Sequence, residues 1–197
     1  FYPRNQVAGD PVRIYSPGAF SDLHGHDLTL AAVAAVAQHR PLALYCHWRQ
    51  TEVEQAFCFL HKVHAHGRDP AAQIRRIPFL PTLRDVGDLL GSMDIVLSPD
   101  RQVTHRQSNW NAATLPHLHH VVSRWPAHEQ LLCARTENEK RVVPIDMEWR
   151  GGQGEPLEGA VAAALETAVE RVLASRQSPE LREPLLGRTW AEIVESL

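Results

Sequence analysis

Short apolar runs alternate along the chain with longer stretches in which apolar residues recur every three or four positions. The short runs are typical of buried β-strands, and the longer spacing is typical of amphipathic helices. Their alternation predicts an α/β fold, a Rossmann-like parallel sheet with helices on both faces. The predicted strands cover residues 12–15, 42–48, 74–80, 93–98, 121–123 and 141–145. The predicted helices cover residues 28–38, 52–64, 83–90, 111–118, 159–174 and 190–197.

Turn residues set the predicted limits of these elements. Thr82 is placed to cap the third helix, and Gly91 to end it. The glycine-rich segment 151–154 is predicted to be a flexible loop. Because neither a repeat nor a linker interrupts the alternation, we expect residues 1–197 to form a single domain.

Composition narrows the classes of protein that the chain can belong to. With 44% hydrophobic and 22% charged residues, a chain of 197 residues can bury a substantial core. A formal charge of −3 and scattered basic residues indicate no nucleic-acid partner. The longest apolar runs are too short for a transmembrane helix.

Cysteine usage and the first residues bear on the compartment and on the chain's start. Cys46, Cys58 and Cys133 are odd in number and have no CxxC spacing, which favours a reducing, cytoplasmic compartment over a disulfide framework. The chain opens with FYPRNQ, without a starting Met or a signal-peptide hydrophobic region. We therefore expect that Phe1 is not the natural start.

The segment SDLHGHDLTLAAV, directly after the first predicted strand, fits three interpretations. Asp22-x-His24-Gly25 is similar to the first metal-binding turn of a phosphoesterase, but the further ligands that a two-metal site needs do not follow. His26-Asp27 is similar to a late motif of histidine phosphatases, whose Arg-His-Gly nucleophile motif is absent from the sequence. The third interpretation is a phosphate-facing loop that opens a Rossmann-type helix, with Asp22 as a solvated loop residue.

Two groups of histidines suggest a metal site. On a helix, His61 and His64 would lie three positions apart and could share a metal ion, and His66 follows them. His117, His119 and His120 form the second group. Neither group has an intervening Glu or a CxxC knuckle, so we expect solvated or locally hydrogen-bonded histidines beside surface turns and no bound metal.

The order of the segments carries a resemblance that no single motif carries alone. In sequence they are VRIYSPGAFSDLHGHDLTLAAVAAVAQHRP, LALYCHW, IRRIPFLPTLRDVGDLLGSMDIVLSPD, NAATLPHLHHVVSRWPAHEQLL, RVVPID and the closing AVAAALETAVERVLASRQSPELREPLLGRTWAEIVESL. Together they resemble the C-terminal, nucleotide-sugar-binding half of a retaining GT-B glycosyltransferase, over about residues 10 to 197. The resemblance implies one Rossmann-like half, with the acceptor-binding N-terminal half outside this chain.

The resemblance assigns the donor to particular loops. The diphosphate would lie at helix N-termini, where free backbone N–H groups and the helix dipole favour anions. The implied site needs no metal and no cofactor beyond the nucleotide-sugar substrate. The residues implied for the phosphate side are Ser16, Gly18, Ala19, His24, Gly25, Arg49 and Arg101, and those for the base and ribose are Phe79, Leu80, Thr104, His105 and Asn111.

The chain departs from the family at its charged positions. Ala19-Phe20 stand where the family has an Arg, and His24 stands where it has a Lys. The family's two permanent positive charges are thus replaced by a single histidine, which is positive only when protonated. A nearby phosphate would raise the pKa of His24 and let it donate. The family's paired glutamates are also missing, and Asn111, with His105 or Thr104, stands in their place.

Three functions remain open from the sequence. The first is a working, metal-independent retaining glycosyltransferase domain, with His24, Arg49 or Arg101 replacing the lost cations; its acceptor, sugar and catalytic residues are not indicated. The second is a degenerate GT-B-like domain that serves as a binding or scaffolding module. The third is another Rossmann-like enzyme, although the Gly-x-Ser-x-Gly, Walker and Gly-x-Gly-x-x-Gly motifs are absent from the sequence.

Overall fold

The computed structural model describes residues 10–48, 51, 74–76, 83–102, 115, 117–124, 141–150 and 153–177. Within them, six parallel strands form one sheet in the order β3-β2-β1-β4-β5-β6. This is the strand order of the doubly wound dinucleotide-binding fold, and it confirms the predicted Rossmann-like sheet. The strands are β1 Val12–Ser16, β2 Leu42–Cys46, β3 Ile74–Arg76, β4 Ile95–Ser98, β5 His119–Ser123 and β6 Val142–Ile145.

Helices cover both faces of this sheet. Helices α1 (His26–Val36) and α3 (Ala160–Gln177) pack together on one face, where Leu30 and Leu165 join the larger core cluster. Helix α2 (Leu83–Gly91) covers the other face, with Leu90 against Tyr15 and Val96. The alternation of neighbouring strand residues between the two clusters is the two-residue period expected of a sheet buried on both sides.

Several predicted limits shift, and one predicted loop is wrong. Gly25, in the left-handed region, starts α1 two residues earlier than predicted, and β5 also starts two residues earlier. The antiparallel hairpin of β7 (Met147–Arg150) and β8 (Gln153–Pro156) includes half of the segment predicted as the 151–154 loop. Glu148 and Arg150 of β7 are exposed and alternate with the half-buried Met147 and Trp149, so that one face of this strand points to solvent and the other to the protein. Thr82, the predicted helices 52–64 and 190–197 and most of 111–118 lie outside the described residues.

The expectation that the second group of histidines lies beside a surface turn is wrong for two of its members, whereas His117 lies in a turn and is half-buried. His119 and His120 belong to β5, between β4 and β6, and are 9% and 3% exposed. Burial, together with the charges of Arg141 and Arg171, lowers the pKa of His119 to about 4. His119 is therefore a neutral core residue at neutral pH. The other group, His61, His64 and His66, lies outside the described residues.

The described helices are all too short or too polar to cross a lipid bilayer.

Candidate functional site

Two loops meet where the strand order reverses. β1 and β4 are neighbours in the sheet, and the chain winds outward from them in opposite directions. In an open parallel sheet, the loops at the carboxyl ends of two such strands frame a crevice, which is the usual ligand position. Here these loops are residues 17–25, after β1, and 99–102, after β4.

A short 3-10 turn, Asp22–His24, shapes the first loop. Ser21 precedes it in an extended conformation and accepts a hydrogen bond from the Leu23 N–H through its Oγ, at 3.2 Å. Gly25 closes the turn with a φ of 62°, and its N–H donates to the Asp22 carbonyl. Asp22 itself is exposed, as predicted for a solvated loop residue.

The two loops touch at Gly25 and Pro99. A Cβ atom added to Gly25 would lie 2.1 Å from the Pro99 carbonyl oxygen, far inside van der Waals contact. The Arg101 N–H also donates to the Leu23 carbonyl at 2.9 Å. The backbone at the start of α1 is therefore covered by the second loop, and only glycine fits at the contact.

His24 lies between the two loops. Its Nδ1 is 3.3 Å from Oδ1 of Asp100, a carboxylate with no exposed side-chain surface, while the His24 side chain is 31% exposed. The imidazole is thus oriented by a buried acid and presents part of its ring to solvent. The structure places this predicted residue at the crevice, with an orienting partner that the sequence did not reveal.

His26, the first residue of α1, is 1% exposed, and both of its ring nitrogens have hydrogen-bond partners. The Ser21 N–H donates to its Nδ1 at 3.0 Å, and its Nε2 lies 3.1 Å from the Pro17 carbonyl oxygen. The ring stacks on Phe20 and contacts Trp48 edge to face. His26 is absent from the site residues that the resemblance implies, because its two partners, the backbone groups of Pro17 and Ser21, leave no signal in the sequence.

Arg101 is held by acidic residues. It makes a bidentate pair with Asp27, at 2.6 and 2.8 Å, and its Nε lies 3.0 Å from Glu155 Oε2. The guanidinium also donates to the Asp22 carbonyl at 2.7 Å. These hydrogen bonds, that to Asp27 above all, raise the pKa of Arg101 above its ordinary value. Its charge is therefore balanced locally.

The hairpin β7–β8 is part of this arrangement. The Gly154 N–H donates to the Arg101 carbonyl at 2.8 Å, and Gln102 bridges to Gln153. A partly open groove of about 290 Å³ lies beside the hairpin. It is lined by Asp22, Leu23, Asp27, Arg101, Gln153 and Glu155.

The remaining predicted site residues are distributed unevenly. Ser16 ends β1 and is buried, and among the described residues its Oγ has no hydrogen-bond partner. Gly18, with a φ of 93°, and Ala19 are exposed in the loop that follows. The carboxyl ends of β1 and β4 thus bring together six of the predicted residues: Ser16, Gly18, Ala19, His24, Gly25 and Arg101. Arg49, Phe79, Leu80, Thr104, His105 and Asn111 lie outside the described residues.

Metal-binding side chains are dispersed in the part of the chain that the structure describes. Within it, three or more His, Cys, Asp or Glu side chains nowhere gather closely enough to hold a metal ion.

Comparison with solved structures identifies the fold. The chain is similar to the C-terminal domain of a glycosyl transferase group 1 family protein, LpcC, from Francisella tularensis (TM-score 0.59, 12% identity, 88% of each chain covered). It is also similar to a UDP-forming α,α-trehalose-phosphate synthase from Burkholderia xenovorans (TM-score 0.59, 12% identity, 86% of this chain and 38% of that one). A third similar structure is the catalytic domain of cholesterol-α-glucosyltransferase from Helicobacter pylori (TM-score 0.52, 14% identity, 83% of this chain and 93% of that one).

Sequence comparisons give no match: neither a protein-family model nor a curated protein matches the chain. The structural likeness holds over most of the chain, which spans only about a third of the length of larger glycosyltransferases such as the trehalose-phosphate synthases. The fold that the order of segments predicted is confirmed. The chain has the Rossmann-like fold of the C-terminal domain of GT-B glycosyltransferases.

Proposed function

We propose that this chain binds a nucleotide-sugar donor at the carboxyl edge of its sheet, as the donor half of a retaining, metal-independent glycosyltransferase. One observation carries the proposal: the loops after β1 and β4 meet at the reversal of strand order, and they contain His24, Gly25 and Arg101. Ligands of open parallel sheets bind in such a crevice. An acceptor-binding half, in the same or another chain, would complete the active site.

His24 is the group that we assign to the donor's diphosphate. It is partly exposed, and Asp100 orients it from below. A phosphate in contact with the imidazole favours its protonated form, which then donates a charge-assisted hydrogen bond. Asp100 accepts from Nδ1 of the protonated ring while Nε2 would face the phosphate, so that both N–H groups of the cation would have an anionic partner. The negative charge that develops on the leaving diphosphate is the part of the reaction that this contact would stabilise.

Arg101 takes a different role in this proposal from that of a free phosphate ligand. Four of its N–H donors already meet Asp27, Glu155 and the Asp22 carbonyl. It would fix the loop after β4 against α1 and the hairpin, and so hold His24 and Asp100 in place. Ser16, with its buried hydroxyl, and the exposed Gly18 and Ala19 would form the loop beneath the diphosphate.

A specific observation also favours the second candidate, a non-catalytic binding or scaffolding module. The Asp27 carboxylate stands in the first turn of α1, at the N-terminus where an anionic ligand would bind, and it takes up the charge of Arg101. A helix N-terminus occupied in this way attracts a phosphate less than a vacant one does. The two candidates differ in one measurable property, the affinity for a nucleoside diphosphate.

Isothermal titration calorimetry with UDP, GDP, ADP and the corresponding nucleotide sugars distinguishes them. UDP is the first probe because one structural neighbour is named as UDP-forming. We expect saturable binding, weakened about tenfold by His24→Ala through the loss of one charge-assisted hydrogen bond. The difference between wild type and variant should shrink as the pH rises, because neutral imidazole carries no charge.

The matched control is His39→Ala. His39 is 57% exposed and lies three residues after α1, away from the crevice. This variant should bind as the wild type does. An absence of heat and of thermal stabilisation at millimolar ligand would contradict donor binding and leave the module. Binding that is indifferent to both His24→Ala and pH would remove His24 from the site.

A further inference from the structure

The first loop leaves the sheet, and one side chain bonds to its backbone at both ends. Residues 17–21 leave β1 at Pro17 and reach the 3-10 turn at Ser21, with Gly18 in the left-handed region between them. Loop N–H and C=O groups outside the sheet need other partners. One side chain, His26, supplies a partner at both ends of this loop: the Pro17 carbonyl and the Ser21 N–H.

The two contacts determine the protonation state of His26. A backbone N–H is always a donor, so the Nδ1 atom facing Ser21 must carry a lone pair. A carbonyl oxygen is always an acceptor, so the Nε2 atom facing Pro17 must carry the proton. Only the neutral Nε2–H tautomer satisfies both bonds. The other neutral tautomer would place like groups against each other at both ends.

Aromatic packing fixes the plane of the same ring. Phe20 stacks on it at a centroid distance of 5.9 Å, and Trp48, from the end of β2, meets it edge to face at 5.2 Å. The His24 ring lies 5.8 Å away on the loop side. His26 therefore links the core at the end of β2 to the loop after β1 and to His24.

We infer that His26, as the neutral Nε2–H tautomer, is the positioning residue that sets the first loop for the donor's diphosphate. The inference rests on the proposed function for its ligand and on the two hydrogen bonds for its mechanism. By joining Pro17 to Ser21 it fixes the path of Gly18 and Ala19 and the start of the turn that carries His24. A preorganised loop avoids the loss of conformational freedom on binding.

Two conservative variants divide the role of the ring. An Asn side-chain oxygen stands near the position of Nδ1 and can still accept from Ser21, whereas a Gln amide reaches the position of Nε2 and can still donate to Pro17. We expect His26→Asn and His26→Gln each to lower the affinity for UDP about tenfold in calorimetry, because each removes one of the two hydrogen bonds from the ring to the loop. His26→Leu, which keeps neither bond, should lower it further.

A purely structural role would lower the melting temperature of these variants in the same order while leaving the affinity of the folded protein unchanged. That outcome would overturn the inference. His39→Asn and His39→Gln, made at an exposed histidine whose Nε2 lies 3.0 Å from Glu166 Oε2, are the matched controls and should leave the affinity unchanged. Should His26→Leu fail to fold, the Asn and Gln variants still decide.

A ligand-free measurement separates this inference from the proposed function. Two-bond ¹H–¹⁵N spectra of the histidine rings should show His26 as the Nε2–H tautomer at neutral pH. An Nδ1–H tautomer or an imidazolium would overturn the inference whatever the ligand results. If the tautomer is as expected but the wild type binds no nucleoside diphosphate, the proposed function fails and so does the assignment of a diphosphate to this loop.

Discussion

Gly25 occupies a backbone position that side chains rarely adopt. Its φ of 62° lies in the left-handed region, and the Pro99 carbonyl oxygen leaves no room for a Cβ atom. Both constraints come from the same contact between the two loops of the candidate site. The residue that the resemblance assigns to the phosphate side is, in the structure, a point of close approach between two backbones.

Replacing Gly25 with Ala should therefore destabilise the protein. Backbone strain and a displaced Pro99 together are expected to cost at least about 2 kcal/mol in the free energy of unfolding. Gly91→Ala is the matched control, since a Cβ at that helix-terminal glycine meets no atom within 4 Å. Urea denaturation of both variants checks the expectation. Equal stability of the two would contradict the described contact.

At the scale of elements, strand β5 shows how a polar sequence can be buried. Its residues HHVVS include two histidines and a serine, yet all five are buried. A neutral imidazole costs far less to bury than a charged group, so a central strand tolerates it at neutral pH. These histidines were expected at the surface because polarity alone does not distinguish a buried neutral His from a solvated one.

This burial predicts acid sensitivity. The pKa of His119 falls from 6.5 to about 4 on folding, so between these pH values the unfolded chain binds a proton that the folded chain does not bind. Stability contributed by the neutral form is complete above pH 6.5 and is lost as the pH falls to about 4. The expected loss is about 3 kcal/mol in the free energy of unfolding.

Urea denaturation between pH 4 and pH 7.5 measures this loss. His119→Gln should show a shallower pH dependence than the wild type, even if it is less stable at every pH. His39→Gln removes an exposed histidine whose Nε2 lies 3.0 Å from Glu166 Oε2, and it measures how much of the pH dependence comes from a surface ion pair. A His119→Gln slope equal to that of the wild type would show that another group is responsible.

The hairpin β7–β8 is the element that the sequence did not predict. Three glycines and a glutamine at 151–154 indicated a flexible loop. What orders the described part is tertiary: Trp149 donates to the Arg124 carbonyl, and Gly154 and Glu155 contact Arg101. Contacts with a distant loop leave no signal in a local pattern of polarity.

At the scale of the whole molecule, the sheet was predictable because most of its strands carry an apolar run, and these runs alternate along the sequence with stretches of helical period. The order of those elements carried the resemblance to the GT-B donor half, and the structural comparisons confirm that fold. The ion pairs of Arg101 with Asp27 and Glu155 and the pairing of His24 with Asp100 were not predictable, because they join residues more than 50 positions apart.

The central claim is that the crevice between the loops after β1 and β4 binds the nucleoside diphosphate of a sugar donor. Titration of the ¹⁵N-labelled protein with UDP, followed by ¹H–¹⁵N correlation spectra, tests it most directly. We expect saturable shifts in the amide signals of the non-proline residues of 16–25 and 98–102. Arg13 and Asp94 lie at the amino ends of β1 and β4, away from the crevice; their amide signals serve as internal controls and should not shift. Unchanged spectra at millimolar UDP, or shifts confined to other parts of the molecule, would contradict it.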